Sequence, residues 1–168
     1  MPDLLGILSD THGRLSTARA AVDLLLARGA TRLVHLGDVG SDAVLDLLAG
    51  VPATVCFGNC DDDRPLRRYA EAIGIEVGHP SAILAFGDVR LGLTHGHLED
   101  ELAGLLAAKV DFLLHGHSHE MRDERIGATR ILNPGARHRA ARFTAMLLDP
   151  RSGEASWIDV SSGETVRP

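Results

Sequence analysis

The sequence predicts an α/β protein, two sheets packed face to face with helices outside, and three observations carry that reading. Short apolar runs alternate with helical runs through the first half of the chain, the pattern of a largely parallel sheet. In the last third, strand candidates follow one another across turn-rich segments such as NPGAR and DPRSG with no helix between them, which points to antiparallel pairing. The 168 residues are 45% hydrophobic, enough to bury the core of one ordinary domain, and the whole chain reads as a single one.

The elements follow in order. Leu4 to Leu8 is an apolar run that stops at Ser9-Asp10 and reads as a buried strand. Leu15 to Arg28 has the spacing of an amphipathic helix, with Ser16 as its N-cap and Gly29 as its C-cap. Arg32 to Leu36 is a second strand ending at Gly37-Asp38, and Asp42 to Ala49 a short helix closed by Gly50. Ala53 to Phe57 is a third strand, ending at Gly58-Asn59. Arg64 to Ile73 is a helical stretch limited by Pro65 and Gly74. Ala82 to Phe86 and Arg90 to Thr94 form a hairpin across Gly87-Asp88. Leu98 to Lys109 is a helix, and Val110 to Leu114 a strand that runs into HGHSH. Thr129 to Leu132, Phe143 to Leu148 and Ala155 to Val160 complete the strands.

Charge and composition exclude several roles. The formal net charge is -6, so bulk electrostatics do not suit a protein that coats duplex nucleic acid or an anionic membrane. No run of about 18 apolar residues exists, so no transmembrane helix is expected. The first residues lack a basic segment before an apolar one, so no signal peptide is expected and the cytoplasm is the default compartment. Two cysteines make no disulfide framework. Cys56 reads as a buried strand residue.

Nine histidines are many for this length, and several gather with acids and glycines at strand ends. Those ends are Asp10-Thr11-His12, Gly37-Asp38, Gly58-Asn59-Cys60-Asp61, His95-Gly96-His97 and Gly116-His117-Ser118-His119. The carboxyl ends of strands in an open α/β sheet line the ligand crevice, so these segments converge. In extended chain, residues i and i+2 face the same side, which lets Asp10 and His12, or His117 and His119, address one ion. Oxygen and nitrogen donors without thiolate suit manganese, iron, zinc, nickel or cobalt.

These motifs, in this order and each after a strand, resemble the calcineurin-like metallophosphoesterase superfamily. The resemblance is strongest to its compact bacterial and archaeal phosphodiesterase branch, whose fold is shared with a retromer subunit. A trailing Asn133-Pro134-Gly135 is similar to that branch as well. The resemblance implies a four-layer αββα sandwich of two mixed β-sheets flanked by helices, with a two-metal centre. By motif, Asp10, His12, Asp38 and His119 would hold one ion. Asp38 would bridge to a second, completed by Asn59, His95 and His117. Manganese is the ion that the resemblance favours.

The activity implied is hydrolysis of small phosphodiesters by in-line attack of a metal-bridging hydroxide. A phosphomonoesterase of the same mechanism, or a scaffold protein with a vestigial site, is the alternative; a homo-oligomer stays open. Two divalent ions outweigh two aspartates, so the pocket is cationic although the protein is acidic. Asn59 and His97 are the candidate catalytic side chains, Asn59 as a ligand and His97 as a substrate contact. Many members carry histidine where this chain has Cys60, and a thiol is a poor acid for an alkoxide, so activated diesters should turn over faster. His35 and His115 read as satisfied interior histidines, His79 and His138 as surface loop residues, and Arg137 as a solvated turn residue. Asp61 reads as a residue that orients its neighbours.

Overall fold

The computed structural model describes residues 3–136 and 142–168. Arg137 and His138 lie outside the described residues.

The order is β1 (Leu5–Leu8), α1 (Leu15–Ala27), β2 (Arg32–His35), α2 (Asp42–Leu48), β3 (Ala53–Val55), α3 (Asp63–Ala72), β4 (Glu76–Val77), β5 (Ser81–Phe86), β6 (Val89–Thr94), α4 (Glu99–Ala107), β7 (Phe112–Leu114), β8 (Met121–Ile126), β9 (Thr129–Pro134), β10 (Thr144–Leu148), β11 (Ala155–Asp159) and β12 (Thr165–Val166). One sheet has the order β12-β11-β10-β1-β2-β3-β4, the other β5-β6-β7-β9-β8. Both are mixed, and with the helices on their outer faces they give the α/β sandwich that the sequence implied.

Period-two alternation builds the layers. On β1, Leu5 and Ile7 point into the core between the sheets, where they meet Leu91, Leu93 and Leu114 of the facing sheet and Met146, Leu148 and Trp157 of their own. Leu8 points the other way, into the core under the helices with Val22, Leu25, Leu33, Leu45 and Leu48. Gly6 shares that outward face, and a Cβ there would lie 3.0 Å from the Cβ atoms of Leu25 and Ala30. Hydrogen at this position therefore sets how closely α1 lies on the sheet. A smaller cluster of Leu105, Val110, Leu113 and Ile131 seats α4 on the second sheet. Cys56 is fully buried between the sheets, and that burial pushes its thiol up to about 12, leaving it chemically quiet.

Three expectations are corrected. Ser16 is not the N-cap of α1: the cap is Arg14, with no side-chain capping bond, because the helix already begins at Leu15. The C-cap is Arg28, and Gly29 is the residue beyond it, at φ +94°. The C-terminal strands are not uniformly antiparallel. β9 pairs in parallel with β7, and the chain crosses between them through the strand β8 rather than a helix. β1, β2 and β3 are mutually parallel, as are β6, β7 and β9. Their carboxyl ends supply the loops of the next subsection. Among the described residues no helix is long and apolar enough to cross a membrane.

Candidate metal centre

All seven candidate ligands sit in the loops that leave the parallel strands: Asp10 and His12 after β1, Asp38 after β2, Asn59 after β3, His95 after β6, His117 and His119 after β7. Backbone bonds lock loop to loop. Asp10 N–H donates to Gly37 O (2.8 Å), His12 N–H to Asp38 O (2.8 Å) and Gly116 N–H to His95 O (2.9 Å). The sheets are joined at the centre by His95 Nδ1, which donates to Leu36 O at 2.7 Å. They are joined again by His117 N–H, which donates to Asp10 Oδ2 at 3.1 Å.

The backbone is strained where the candidate ligands stand. Six described residues other than glycine have positive φ, and five of them are Asp10, His12, Asp38, His117 and His119. The left-handed region is costly for residues with a Cβ, and a structure keeps it where side chains must be aimed. Glycines permit the close approach around them. A Cβ on Gly58 would overlap Asp38 Oδ1 and lie 2.6 Å from Asp38 N, and one on Gly116 would overlap Ser9 Oγ.

Each carboxylate gives one oxygen to the protein and turns the other inward. Asp10 Oδ2 accepts from Ser9 Oγ (2.5 Å) and His117 N–H, while its buried Oδ1 has no hydrogen-bond donor assigned among the described residues. Asp38 Oδ1 accepts from Cys60 N–H at 2.9 Å. Its Oδ2 lies 3.5 Å from His12 Nε2 and 3.6 Å from His95 Nε2. His119 Nε2 is 3.1 Å from Asp10 Oδ1. One potential donor atom from each of Asp10, His12, Asp38 and His119 falls within 4.8 Å of every other.

His95 shows what such a site lacks. With Nδ1–H donated to Leu36 O, the neutral ring leaves a lone pair on Nε2. That nitrogen faces Asn59 Oδ1 at 3.2 Å, Asp38 Oδ2 at 3.6 Å and Asp10 Oδ1 at 4.0 Å. Three oxygen acceptors repel the lone pair of the neutral ring, and either a proton on Nε2 or a metal cation among them removes that repulsion. Burial opposes ionisation of Asp38, yet the His95 imidazole and the Cys60 N–H outweigh it and hold the carboxyl well below the usual carboxylate range. Burial also disfavours charge on His95, and Asp38 and Asp10 more than reverse that. The donor set thus fits a divalent cation in both chemistry and charge. Asp10, Asp38 and His95 form the buried floor, while Asn59 and His117 are exposed at the mouth.

A model of the calcineurin-like phosphoesterase superfamily domain matches residues 4–153. The chain belongs to this superfamily. This phosphoesterase is 29% identical over 138 residues to a phosphodiesterase of Methanocaldococcus jannaschii, with 78% of the chain and 82% of the relative covered. It superposes on an archaeal phosphodiesterase with a TM-score of 0.82 at 25% identity, covering 93% of this chain and 99% of the other. On the phosphoesterase Yfce of E. coli the TM-score is 0.75 at 23% identity, with 98% and 97% covered. Membership makes the protein a metal-dependent phosphoesterase, a hydrolase.

Other residues of the phosphoesterase support the ligands. Asp61 accepts from the N–H groups of Gly58, Val39 and Gly40 at 2.9–3.0 Å, tying the loop of Asn59 to that of Asp38. Its place in the motif had marked it as an orienting residue. Ser9 carried no signal in the sequence. His79 is half-buried rather than a surface residue, with Nδ1 3.2 Å from Phe57 O. His35 is a satisfied interior histidine. Gly37 N–H donates to its Nδ1 (3.2 Å), its Nε2 lies 2.9 Å from Thr11 Oγ1, and Thr11 donates on to Val39 O.

Burial, against the opposing pull of Asp61, lowers the His35 pKa from 6.5 to about 4. Between those values the unfolded chain binds a proton that the folded one refuses. The stabilisation is therefore complete above pH 6.5 and is lost as pH falls through about 4. Urea denaturation across that window should show the wild type losing up to about 3 kcal/mol more than His35→Gln. Parallel curves for the two proteins would refute the assignment.

Proposed function

We propose that the protein is a binuclear metal-dependent phosphodiesterase acting on small phosphate diesters. Asp10, His12, Asp38 and His119 would hold one ion. Asp38, Asn59, His95 and His117 would hold the other, so that Asp38 is shared. The observation that carries this reading is the convergence of Asp10, Asp38 and Asn59 oxygens on His95 Nε2, beside the cluster of Asp10, His12, Asp38 and His119. All seven motif positions carry side chains able to donate to a metal, which argues against a scaffold with a decayed site. That a Methanocaldococcus jannaschii relative and an archaeal structural neighbour are phosphodiesterases favours diesters over monoesters. Manganese is the ion and the cytoplasm the compartment that this reading assigns.

When bound, two such ions supply Lewis-acid charge and an activated water for in-line attack on phosphorus. The side chains do the rest. Asp10 and Asp38 hold negative charge at the floor, and their protein-bound oxygens keep them from turning. Asn59 and His117, exposed at the mouth, leave that side open to an ester. His97 stands beside them, its ring 5.3 Å from that of His95 and 6.2 Å from that of His117. Its buried Nδ1 has no hydrogen-bond partner among the described residues. We assign His97 to the leaving group. Cys60 is exposed, and its Sγ is 3.5 Å from Asn59 Nδ2. Its slight burial and the Asp38 charge push the thiol up, which favours its protonated form.

Metal-free protein given one divalent metal at a time should hydrolyse bis(4-nitrophenyl) phosphate faster than 4-nitrophenyl phosphate, with manganese most effective. A preference for the monoester would shift the assignment to a phosphomonoesterase. Asp38→Asn should cut turnover roughly 10²–10³-fold, and activity near the wild-type level would count against a shared carboxylate. Cys60→His should raise turnover of alkyl diesters relative to aryl ones, because general acid catalysis contributes about 10²–10⁴-fold. An unchanged aryl-to-alkyl ratio would refute that reading of Cys60.

A further inference from the structure

We propose that Asn133 is a positioning residue for His117, acting through the carbonyl of Gly116; the proposal rests on His117 being a ligand of the second ion. The Asn133-Pro134-Gly135 segment stood out in the sequence, and the chemistry above leaves it without a role. Its place is at the end of β9, beside the loop that carries His117 and His119.

That loop turns in an unfavourable way. Ser118 N–H donates to Gly116 O at 2.8 Å, a bond from residue i+2 to residue i, and the residue between them, His117, has φ +65°. A γ-turn of this hand is rare and strained. The strain has a use. It brings His117 N–H onto Asp10 Oδ2 and sets the His117 ring 5.2 Å from that of His95, across the junction of the two sheets.

Left to itself, such a turn would relax and carry the imidazole away. Asn133 opposes this. Its Nδ2 donates to Gly116 O at 2.9 Å and lies 3.1 Å from Ser118 Oγ, so one amide grips both ends of the turn. The amide plane is itself fixed, since its Oδ1 accepts from Gly135 N–H at 2.8 Å and the residue is fully buried. The backbone carbonyl of Asn133, which is not part of that amide, accepts from Trp157 Nε1 at 2.7 Å. His115 adds a third donor to Gly116 O, through Nδ1 at 3.0 Å, and its Nε2 accepts from Arg122 at 3.1 Å. Three donors on one carbonyl over-determine its direction. Pro134-Gly135 lets the chain turn back, so that Ala136 N–H reaches His119 O at 3.1 Å.

The test is a calorimetric titration of metal-free protein with manganese, alongside urea denaturation. Asn133→Asp keeps the shape of the side chain and removes both N–H donors. The wild type should bind two equivalents. Asn133→Asp should keep one of them and lose about 10–100-fold in affinity for the other, the usual cost of removing a group that orients a ligand. Trp157→Phe removes the bond to the Asn133 carbonyl and leaves the amide in place, so it should lower stability with both affinities unchanged. Should Asn133→Asp fail to fold, Asn133→Ala carries the same measurement.

Two wild-type affinities in Asn133→Asp, or an equal loss in Trp157→Phe, would overturn the positioning role while leaving the binuclear reading intact. A single equivalent in the wild type would instead overturn that reading, and this proposal with it.

Discussion

Two buried carboxylates that face one imidazole nitrogen set the terms for the rest of this molecule. Asp10 and Asp38 are almost wholly removed from solvent, and a charge in that position is costly unless it is paired. The protein meets half of the need. Ser9, His117 N–H and Cys60 N–H satisfy one oxygen on each residue, and the other oxygens point at His95 Nε2. An interior arranged in this way is unfavourable by itself and favourable around a cation. The site therefore marks where the fold gives up stability for function.

The two-sheet architecture makes this arrangement reachable. Parallel strands end side by side, so one edge of the sandwich collects loops from β1, β2, β3, β6 and β7 without any long excursion of the chain. Bonds from His95 to Leu36 and from His117 to Asp10 then clamp one sheet to the other at the candidate ligands themselves. Gly58 and Gly116 allow the carboxylates to be approached more closely than any Cβ would permit. The positive φ of five candidate ligands is the local cost of aiming them from so little chain.

Much of this was legible in the sequence, because the features concerned are local. Apolar runs that end in Asp, Gly or His mark both a strand and what its end delivers, and the candidate ligands fall where those ends meet. Less legible was anything that depends on distant partners. β8 reads MRDERI and has no apolar face, since it is an exposed edge strand whose place is set by pairing with β9. β4 and β12 are two residues each, too short for a period. The parallel pairing of β9 with β7 was missed because a strand occupies the crossover where a helix is usual. Asp61 could be read from its motif. Ser9 and the grip of Asn133 on Gly116 could not, since a side chain's hydrogen-bond partner over a long sequence separation leaves no periodic trace.

In the proposed function a cation pair shares Asp38. Crystals grown with manganese, measured at the metal's absorption edge, test this directly. A shared Asp38 requires two anomalous peaks about 3.5–4 Å apart with an Asp38 oxygen in contact with both. A single peak at full occupancy, with His95 and His117 turned away from it, would rule out the pair.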